Sequence, residues 1–505
     1  SFSSSSIHTK YVRREVRELN DDDRERFLNA THAIYNTPQK EGRQLYGSHY
    51  TDAEGFAQVH NTDNFCFHGD NMFLTSHPAF QLWYETSLRS VDPSVISTPY
   101  WDFMIDTELY GGNWSRDSPI FNPDWWGPVD NPNYENYQVF EGRWAHTRMP
   151  MHGRKKGYLI GNENSYGFQH ATCDNSASEY IQRSVTFCKL KNDQPLAKRD
   201  NMVHCFMNNS ALYGFDSCIE RNVHGNMHSA HGGAWDCLHD FDTLTTKDGY
   251  HFPKKILNWL SPLLFNLWFS WGGTLNLYSC VDHTDDQFPC ALDDQSCAEV
   301  VAQNDYSEFD DVELYNGTSE SHLLTLLSNL HNSYRGTEFV ERVEETHELY
   351  QTWGLTYKWK HLPPSEQSFF NRWLMDVASN PGKTGAASTG ASPADPLFWL
   401  WHPIFDRMTH VLRLTEIFQE GGTNAYDMAW SSKEDCTGSH WLDHTPFDTK
   451  ISPDILPKGK YVTNEALWGI FNPENGKIPY IYDNLIKWGG VDWQPKTKSE
   501  SPPSE

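Results

Sequence analysis

Apolar and aromatic residues recur with a period near 3.6 in several stretches of this chain, and those stretches predict its helices. In the first, Phe27, Thr31, Ile34 and Tyr35 share one face. Asn20 is placed to cap it, Asp21, Asp22 and Asp23 favour its positive end, and Pro38 lies just beyond its stop. A second helix is predicted over 51–59. In a third, Phe80, Trp83, Tyr84 and Leu88 follow Pro78 at helical spacing. Proline is well tolerated at a first helical position, so His77 is expected at a helix start. The pattern resumes at Leu212 and should end at Gly232-Gly233. Further on, Phe398, His402 and Asp406 fall at i, i+4 and i+8.

Between these helices the periodicity fades. Residues 104–200 are rich in Trp, Asn, Pro and Gly and read as long loops with short strands, pinned by cysteines such as Cys173 and Cys188. The span 234–385 is too long for a structureless loop. It carries three more helical patterns, at 323–330, 339–350 and 369–377, and is read as an inserted subdomain or lid. The last residues, 486–505, form a Pro/Ser/Glu-rich flexible tail.

Composition narrows the class. With 38% hydrophobic and 14% aromatic residues, a large core can be built. A formal net charge of -27 argues against nucleic acid or an anionic membrane as the main partner. The longest apolar run, 256–269, contains a proline and is too short for a membrane span; it suits a buried segment or a surface patch. Ten cysteines without a CxxC point to disulfides rather than a zinc ribbon. Sequons at Asn29, Asn113, Asn208 and Asn316 fit N-glycans. The chain is therefore expected to be secreted. Its SFSSSS start, with no Met, reads as a processed mature form.

Candidate chemistry lies in the histidines. His60, His68 and His77 are eight and nine residues apart, which calls for a helix, a loop and another helix if they share a centre. Neutral imidazoles suit copper, zinc or iron. Among 24 histidines, three such residues could also be ordinary surface or core residues, so a partner set is needed. His224 and His228 are four apart and share a helical face, with Glu220 another turn back. Gly225 stands where a zinc protease would have its glutamate.

Together these motifs resemble the type-3 copper family of tyrosinases, catechol oxidases and hemocyanins. The family's first copper site has its last two histidines nine apart, with FLPWHR and later PYWDW; here MFLTSHP surrounds His77, and PYWDF stands at 99–103. Its second site reads HNxxH before Gly-Gly, then DPxFWLHHxxxDR; here HGNMH precedes Gly232-Gly233, and DPLFWLWHPIFDR spans 395–407. The segments VRREVREL and PYIYD look like the family's opening and closing segments.

The resemblance implies a mainly α fold: a tyrosinase-like four-helix bundle around a dicopper site, with long loops, few short strands and a large inserted region. Both copper sites must meet, so 1–485 is expected to be a single domain. The implied ligands are His60, His68 and His77 for one copper ion and His224, His228 and His402 for the other. The implied partners are dioxygen and a small phenol. Asp406 is expected among the acceptors that hold the imidazoles in one tautomer. In fungal tyrosinases and molluscan hemocyanins a Cys-x-His carries a thioether to the middle imidazole. Cys66-Phe67-His68 is similar, and the resemblance implies such a bond from Cys66 to His68 in preference to the other reading of Cys66, half of a disulfide.

Departures from the family bear on activity. Members that hydroxylate monophenols tend to have Asn after the first histidine of the second site, where it helps a Glu-held water. Here that place is Gly225, with Glu220 left to hold the water alone. Oxidation of o-diphenols or o-aminophenols is thus expected over hydroxylation. Trp-His-Arg has become Ser76-His77-Pro78, and His-His has become Trp401-His402. The family's blocking residue falls near Thr389, among small side chains, which implies an accessible copper pair. Two other readings are a hemocyanin-like dioxygen carrier and a structural glycoprotein that keeps the copper fold and presents 256–269 as its interaction surface.

Overall fold

A helix buried on every side forms the axis of this molecule. The computed structural model describes residues 9–60, 65–129, 137–149, 180–191, 196–235, 384–388, 390–414, 429–432, 437–447 and 462–492. Among them the elements run β1 (Tyr11–Arg13), α1 (Asp21–Asn36), α2 (Gln39–Tyr46), α3 (Ala53–His60), α4 (Phe73–Val91), α5 (Phe103–Tyr110) and α6 (Trp114–Asp117). After β2 (Thr186–Phe187) and β3 (Leu190–Lys191) come α7 (Arg199–Met207), α8 (Leu212–Ile219), a π-turn (Glu220–His224) and α9 (Gly225–Gly232). Then follow α10 (Phe398–Trp401), α11 (Pro403–Leu414), β4 (His444–Thr445), β5 (Val462–Thr463), α12 (Asn464–Ile470), β6 (Tyr480–Tyr482), β7 (Lys487–Trp488) and β8 (Val491–Asp492). The fold is mainly helical, with few and short strands. The three helical patterns expected inside 234–385, the 256–269 run and the C-terminal tail beyond residue 492 lie outside the described residues.

The axis is α4, which is buried continuously from Phe73 to Leu88. A helix apolar on one stripe would show a polar face; this one is enclosed by α1, α11 and α12. Its packing is aromatic. The Tyr84 ring stacks on Trp399 of α10 at 3.9 Å, and Trp399 donates its indole N–H to Tyr35 of α1. Helix α1 starts where its cap signal placed it, with the Asn20 side chain accepting the Asp23 N–H.

The start of α4 differs from expectation. It begins at Phe73, so Pro78 sits inside the helix rather than at its first position. The N–H groups of Phe73, Leu74 and Thr75 each reach back three residues, to Asp70, Asn71 and Met72, so the first turn is tight. Pro78 removes one later donor, and burial on all sides outweighs that loss. Helices α5 and α6 lie where loops were expected, and α7 falls between that region and the helix predicted from Leu212. They are short, so their periodicity repeats too few times to be seen in sequence.

Opening and closing segments of the chain meet as a parallel pair, β1 with β6, which sets Arg13 opposite Tyr482. Buried ion pairs join other distant segments: Arg183 to Asp395, Arg407 to Asp102 and Arg13 to Glu85. A disulfide joins Cys205 of α7 to Cys218 of α8. Cys188 is also disulfide-bonded, to a partner outside the described residues; Cys173, expected to pin the same loops, lies outside the described residues. Among the described residues no helix is long and apolar enough to cross a membrane.

Candidate metal centre

The structure brings His60, His68, His77, His224, His228 and His402 into one cluster. His60 ends α3, His68 lies in the loop before α4, and His77 stands in the second turn of α4. His224 closes the π-turn, His228 lies one turn further on in α9, and His402 joins α10 to α11. Three overlapping groups each gather their ligand nitrogens within 4.8 Å: His60, His68 and His77; His68, His224 and His228; His77, His224 and His402. The last two groups mix residues from both halves of the chain. The rings of His77 and His402 stack at 5.2 Å, and those of His68 and His224 lie 5.1 Å apart.

Backbone carbonyls orient the rings. Nδ1 of His60 lies 2.6 Å from Gly390 O, His77 Nδ1 3.2 Å from Phe73 O, His228 Nδ1 2.5 Å from Ala387 O, and His402 Nδ1 2.8 Å from Phe398 O. A carbonyl only accepts, so each of these Nδ1 atoms carries the proton and Nε2 keeps its lone pair. The Nε2 atoms of His60 and His77 are buried and make no hydrogen bond. Nε2 of His224 lies 3.0 Å from that of His228 and 3.3 Å from that of His402. Converging, desolvated lone pairs on imidazole nitrogens are a donor set that copper, zinc or iron would satisfy. The fit to a metal is therefore good.

Protons compete poorly for these nitrogens. Burial lowers His60 to about 4 and holds His77, His224 and His402 well below the usual imidazole range, and neighbouring imidazoles push the last three the same way. Two buried histidines outside the cluster, His231 and His410, are also lowered by burial to about 4. Unfolded imidazoles titrate near 6.5. Below that pH the unfolded chain takes up protons that the folded chain refuses, so stability falls with pH. The metal-free protein should therefore lose melting temperature between about pH 6.5 and 4, each such histidine costing up to about 1.4 kcal/mol per pH unit. It should level off above pH 7. A melting temperature independent of pH across that window would show that these residues are not buried neutral.

Two expectations for the surroundings are corrected. Asp406 does not hold an imidazole of the cluster. Its Oδ2 accepts from the Tyr480 and Tyr482 hydroxyls at 2.7 Å and from Arg13 at 3.2 Å. The β1–β6 pairing delivers those three groups to it, whereas the backbone already serves the imidazoles. Cys66 is disulfide-bonded, to a partner outside the described residues, and a sulfur so engaged has no valence left for a thioether to His68.

Glu220 is buried at the edge of the cluster. The π-turn adds a residue to the helical repeat, so Glu220 is not one regular turn behind His224. Both its carboxylate oxygens lie 3.1 Å from the Gly69 N–H, next to His68. Gly225 is helical and buried, and its N–H bonds to Glu220 O. Thr389 lies outside the described residues. Helix α9 ends as its glycines foretell, with Gly233 at φ 60° and its absent Cβ position 2.5 Å from Ser184 O.

Several contributors escaped sequence reasoning. The four carbonyl acceptors leave no side-chain signature. Trp401 replaces a family histidine in the sequence, and its ring packs 3.8 Å from His402 and 4.8 Å from His228. Phe398 covers His402 at 3.5 Å, and Phe73 lies against His77 and His224 at 4.4 and 4.9 Å.

Comparison with known proteins gives the following. Residues 26–248 match the common central domain of tyrosinase. A tyrosinase-like protein of Caenorhabditis elegans is 30% identical over 155 residues, 30% of this chain and 20% of that protein. A tyrosinase of Aspergillus oryzae is 31% identical over 103 residues, 19% of each chain. The chain thus spans about a fifth of the length of these curated relatives. A mutant polyphenol oxidase of Thermothelomyces thermophila aligns over 52% of this chain and 71% of its own, at 15% identity and a TM-score of 0.31. Latent apple tyrosinase aligns over 56% and 57%, at 12% identity and 0.24.

Proposed function

We propose that this chain is a tyrosinase-family type-3 copper protein, a secreted oxidase holding two copper ions that converts o-diphenols, and o-aminophenols, with dioxygen. One observation carries the reading: six imidazoles gather in a single cluster, with four Nδ1 atoms on backbone carbonyls and the Nε2 edges facing inward. Three imidazoles for each ion, His60, His68 and His77 on one side and His224, His228 and His402 on the other, leave room at each for an outside ligand. A bound copper pair supplies the two-electron exchange that links dioxygen to a diphenol.

The chain's own residues do the rest. The carbonyls of Phe73, Ala387, Gly390 and Phe398 lock one tautomer, so the nitrogens are aimed before a metal arrives. Burial keeps His60, His77, His224 and His402 unprotonated well into the acid range. Phe73, Phe398, Phe405 and Trp401 line the buried side of the cluster with rings, while His68 and His228 are partly exposed. Glu220 has its carboxylate committed to the Gly69 N–H, and Gly225 offers no side-chain amide to share a water with it. That pairing supports weak or absent hydroxylation of monophenols. The Cys205–Cys218 disulfide supports a secreted location.

The test is reconstitution with copper in air. A near-ultraviolet band that arises when a coupled copper pair meets dioxygen, followed by fast catechol turnover and slow monophenol turnover, is the expected result. The band without catechol turnover would favour a dioxygen carrier, and no band would end both readings. The structure also sets up a substitution. Gly225 has helical dihedrals (φ -58°, ψ -31°) that asparagine adopts without strain. Gly225→Asn should raise the ratio of monophenol to diphenol turnover several-fold, read as separate kcat/KM values. An unchanged ratio would remove Gly225 from the account of specificity.

A further inference from the structure

His68 is carried by a loop, and the described part of that loop, 65–72, is clasped from the C-terminal side of the chain. The Cys66 N–H donates to Thr437 O at 2.9 Å, and the Ser431 N–H donates to Asn71 Oδ1 at 2.8 Å. Phe65 lies so close over Gly438 that a Cβ there would come within 2.3 Å of its ring, and it meets Phe447 edge-on at 5.7 Å. Position 438 must therefore be glycine, with φ +85°, for the strap to lie flat on the loop.

Asn464, the first residue of α12, is fully buried behind this strap. Its amide donates to Gly438 O at 2.8 Å and to His440 O at 2.9 Å. Its Oδ1 accepts from the Thr75 hydroxyl at 2.8 Å, and Thr75 lies in the first turn of α4, two residues before His77. A single side chain thus uses both amide hydrogens and its oxygen to join the strap to the helix that carries His77. On its other side the loop is held by α8 and the π-turn, through Asn71 Nδ2 to Asp216 at 3.3 Å and Gly69 to Glu220.

We infer that Asn464 is a positioning residue for His68, acting through the 437–447 strap and Thr75 to form the His60–His68–His77 nitrogen triangle before metal arrives. This rests on reading the cluster as a copper-pair site. The other five imidazoles are borne by helices or helix ends, whose hydrogen bonds already restrict them. A loop ligand lacks that helical restraint, and ordering that the strap, the Cys66 disulfide and the contacts to Asp216 and Glu220 do not together supply must come out of metal affinity. Asparagine suits the position because it can give two hydrogens and accept one at once. Aspartate would lose both donations and turn a carboxylate against two carbonyl oxygens. Thr75→Val removes only the hydroxyl, and Thr75→Ser retains it.

The experiment uses the full chain loaded with copper(II) and titrated with EDTA, reading copper per chain and the electron paramagnetic resonance signal. Two adjacent, coupled copper(II) ions are silent, whereas a chain that has lost one ion gives a signal. The parent should lose its copper late and with little signal. Asn464→Asp and Thr75→Val should pass through a signal-giving one-copper form at a chelator concentration lower by about 10-fold or more. Thr75→Ser should behave as the parent. Leu28→Ala, a core change in α1, is the control for lost stability alone and should also keep the parent's order of copper loss. If Asn464→Asp does not fold, Thr75→Val carries the test. Parent-like copper loss in the folded strap variants, or the same one-copper form in Leu28→Ala, overturns the inference. A parent that takes up no copper overturns the reading of the site itself, and the inference with it.

Discussion

Alanine at His402 is expected to leave a folded protein that retains about one copper ion per chain and turns over catechol far more slowly than the parent. The loss should exceed the ~10–100-fold that removing a hydrogen-bond partner of a ligand costs, because the ligand itself goes. His402 is held from three directions. Its Nδ1 bonds to Phe398 O, its ring stacks on His77, and its Nε2 lies 3.3 Å from that of His224. Without it, His224 and His228 are left to hold an ion as a pair, and the stacking that joins the two halves of the cluster disappears. His231→Ala is the informative control. His231 is equally buried and belongs to the same helix as His228, but it is outside the cluster, with its ring 6.0 Å from Trp401. That variant should keep two copper ions. Copper analysis and catechol kinetics on both variants decide the matter, and parent-like turnover in His402→Ala would remove it from the ligand set.

Arg183→Met should be the most destabilising single change at a distance from the histidines. Arg183 and Asp395 are both buried and form a two-pronged ion pair, each prong 2.7 Å long, and Arg183 also donates to Trp126 O at 2.5 Å. Burial alone would push the Asp395 carboxyl upward, yet its attraction to Arg183 holds it below the usual carboxylate range. The pair therefore contributes stability that is present above the unfolded carboxyl pKa of about 3.9 and is lost as pH falls below it. Removing the guanidinium leaves a carboxylate buried and unopposed, at a cost of about 3–5 kcal/mol. Asp395 Oδ1 also accepts the Leu397 N–H at the lead-in to α10, so the approach of His402 should loosen as well. Calorimetry at pH 7 is expected to show a fall in melting temperature of several degrees or more. Adding Asp395→Leu should restore much of it, since an apolar pair of similar volume is tolerated where a lone charge is not. A double variant no better than the single would mean that Arg183 acts through Trp126 instead.

Much of the helical frame was legible because its signals are local. Asn20 with three following aspartates marks a helix start, and Gly232-Gly233 marks a helix end; both depend on a few adjacent residues and the structure bears them out. Where long-range packing decides, the local signal misled. Pro78 pointed to a helix start at His77, but burial of α4 on every side carries the helix back to Phe73. Asp406 read as an acceptor for an imidazole because it falls two turns beyond Phe398, four residues after His402. Its hydrogen-bond partners, Arg13, Tyr480 and Tyr482, are more than 70 residues away in sequence, and the imidazole 3.5 Å from its Oδ1 is that of His410, outside the cluster. Cys66 followed the same course, since its spacing to His68 said nothing about which sulfur would come within reach.

The sequence pointed to the six histidines through the family motifs around them, and local helix signals placed most of the helices that bear them, though i/i+4 spacing by itself pairs only His224 with His228. Tertiary structure alone decided how those histidines are aimed. The acceptors for Nδ1 are main-chain carbonyls, which every residue possesses, so only their placement singles out Phe73, Ala387, Gly390 and Phe398. It also decided what stands behind His68: not a covalent bond to the imidazole but a strap from the far end of the chain, fastened by one buried asparagine. No local pattern encodes that contact, because its two sides are nearly 400 residues apart and meet only after the core between them has packed.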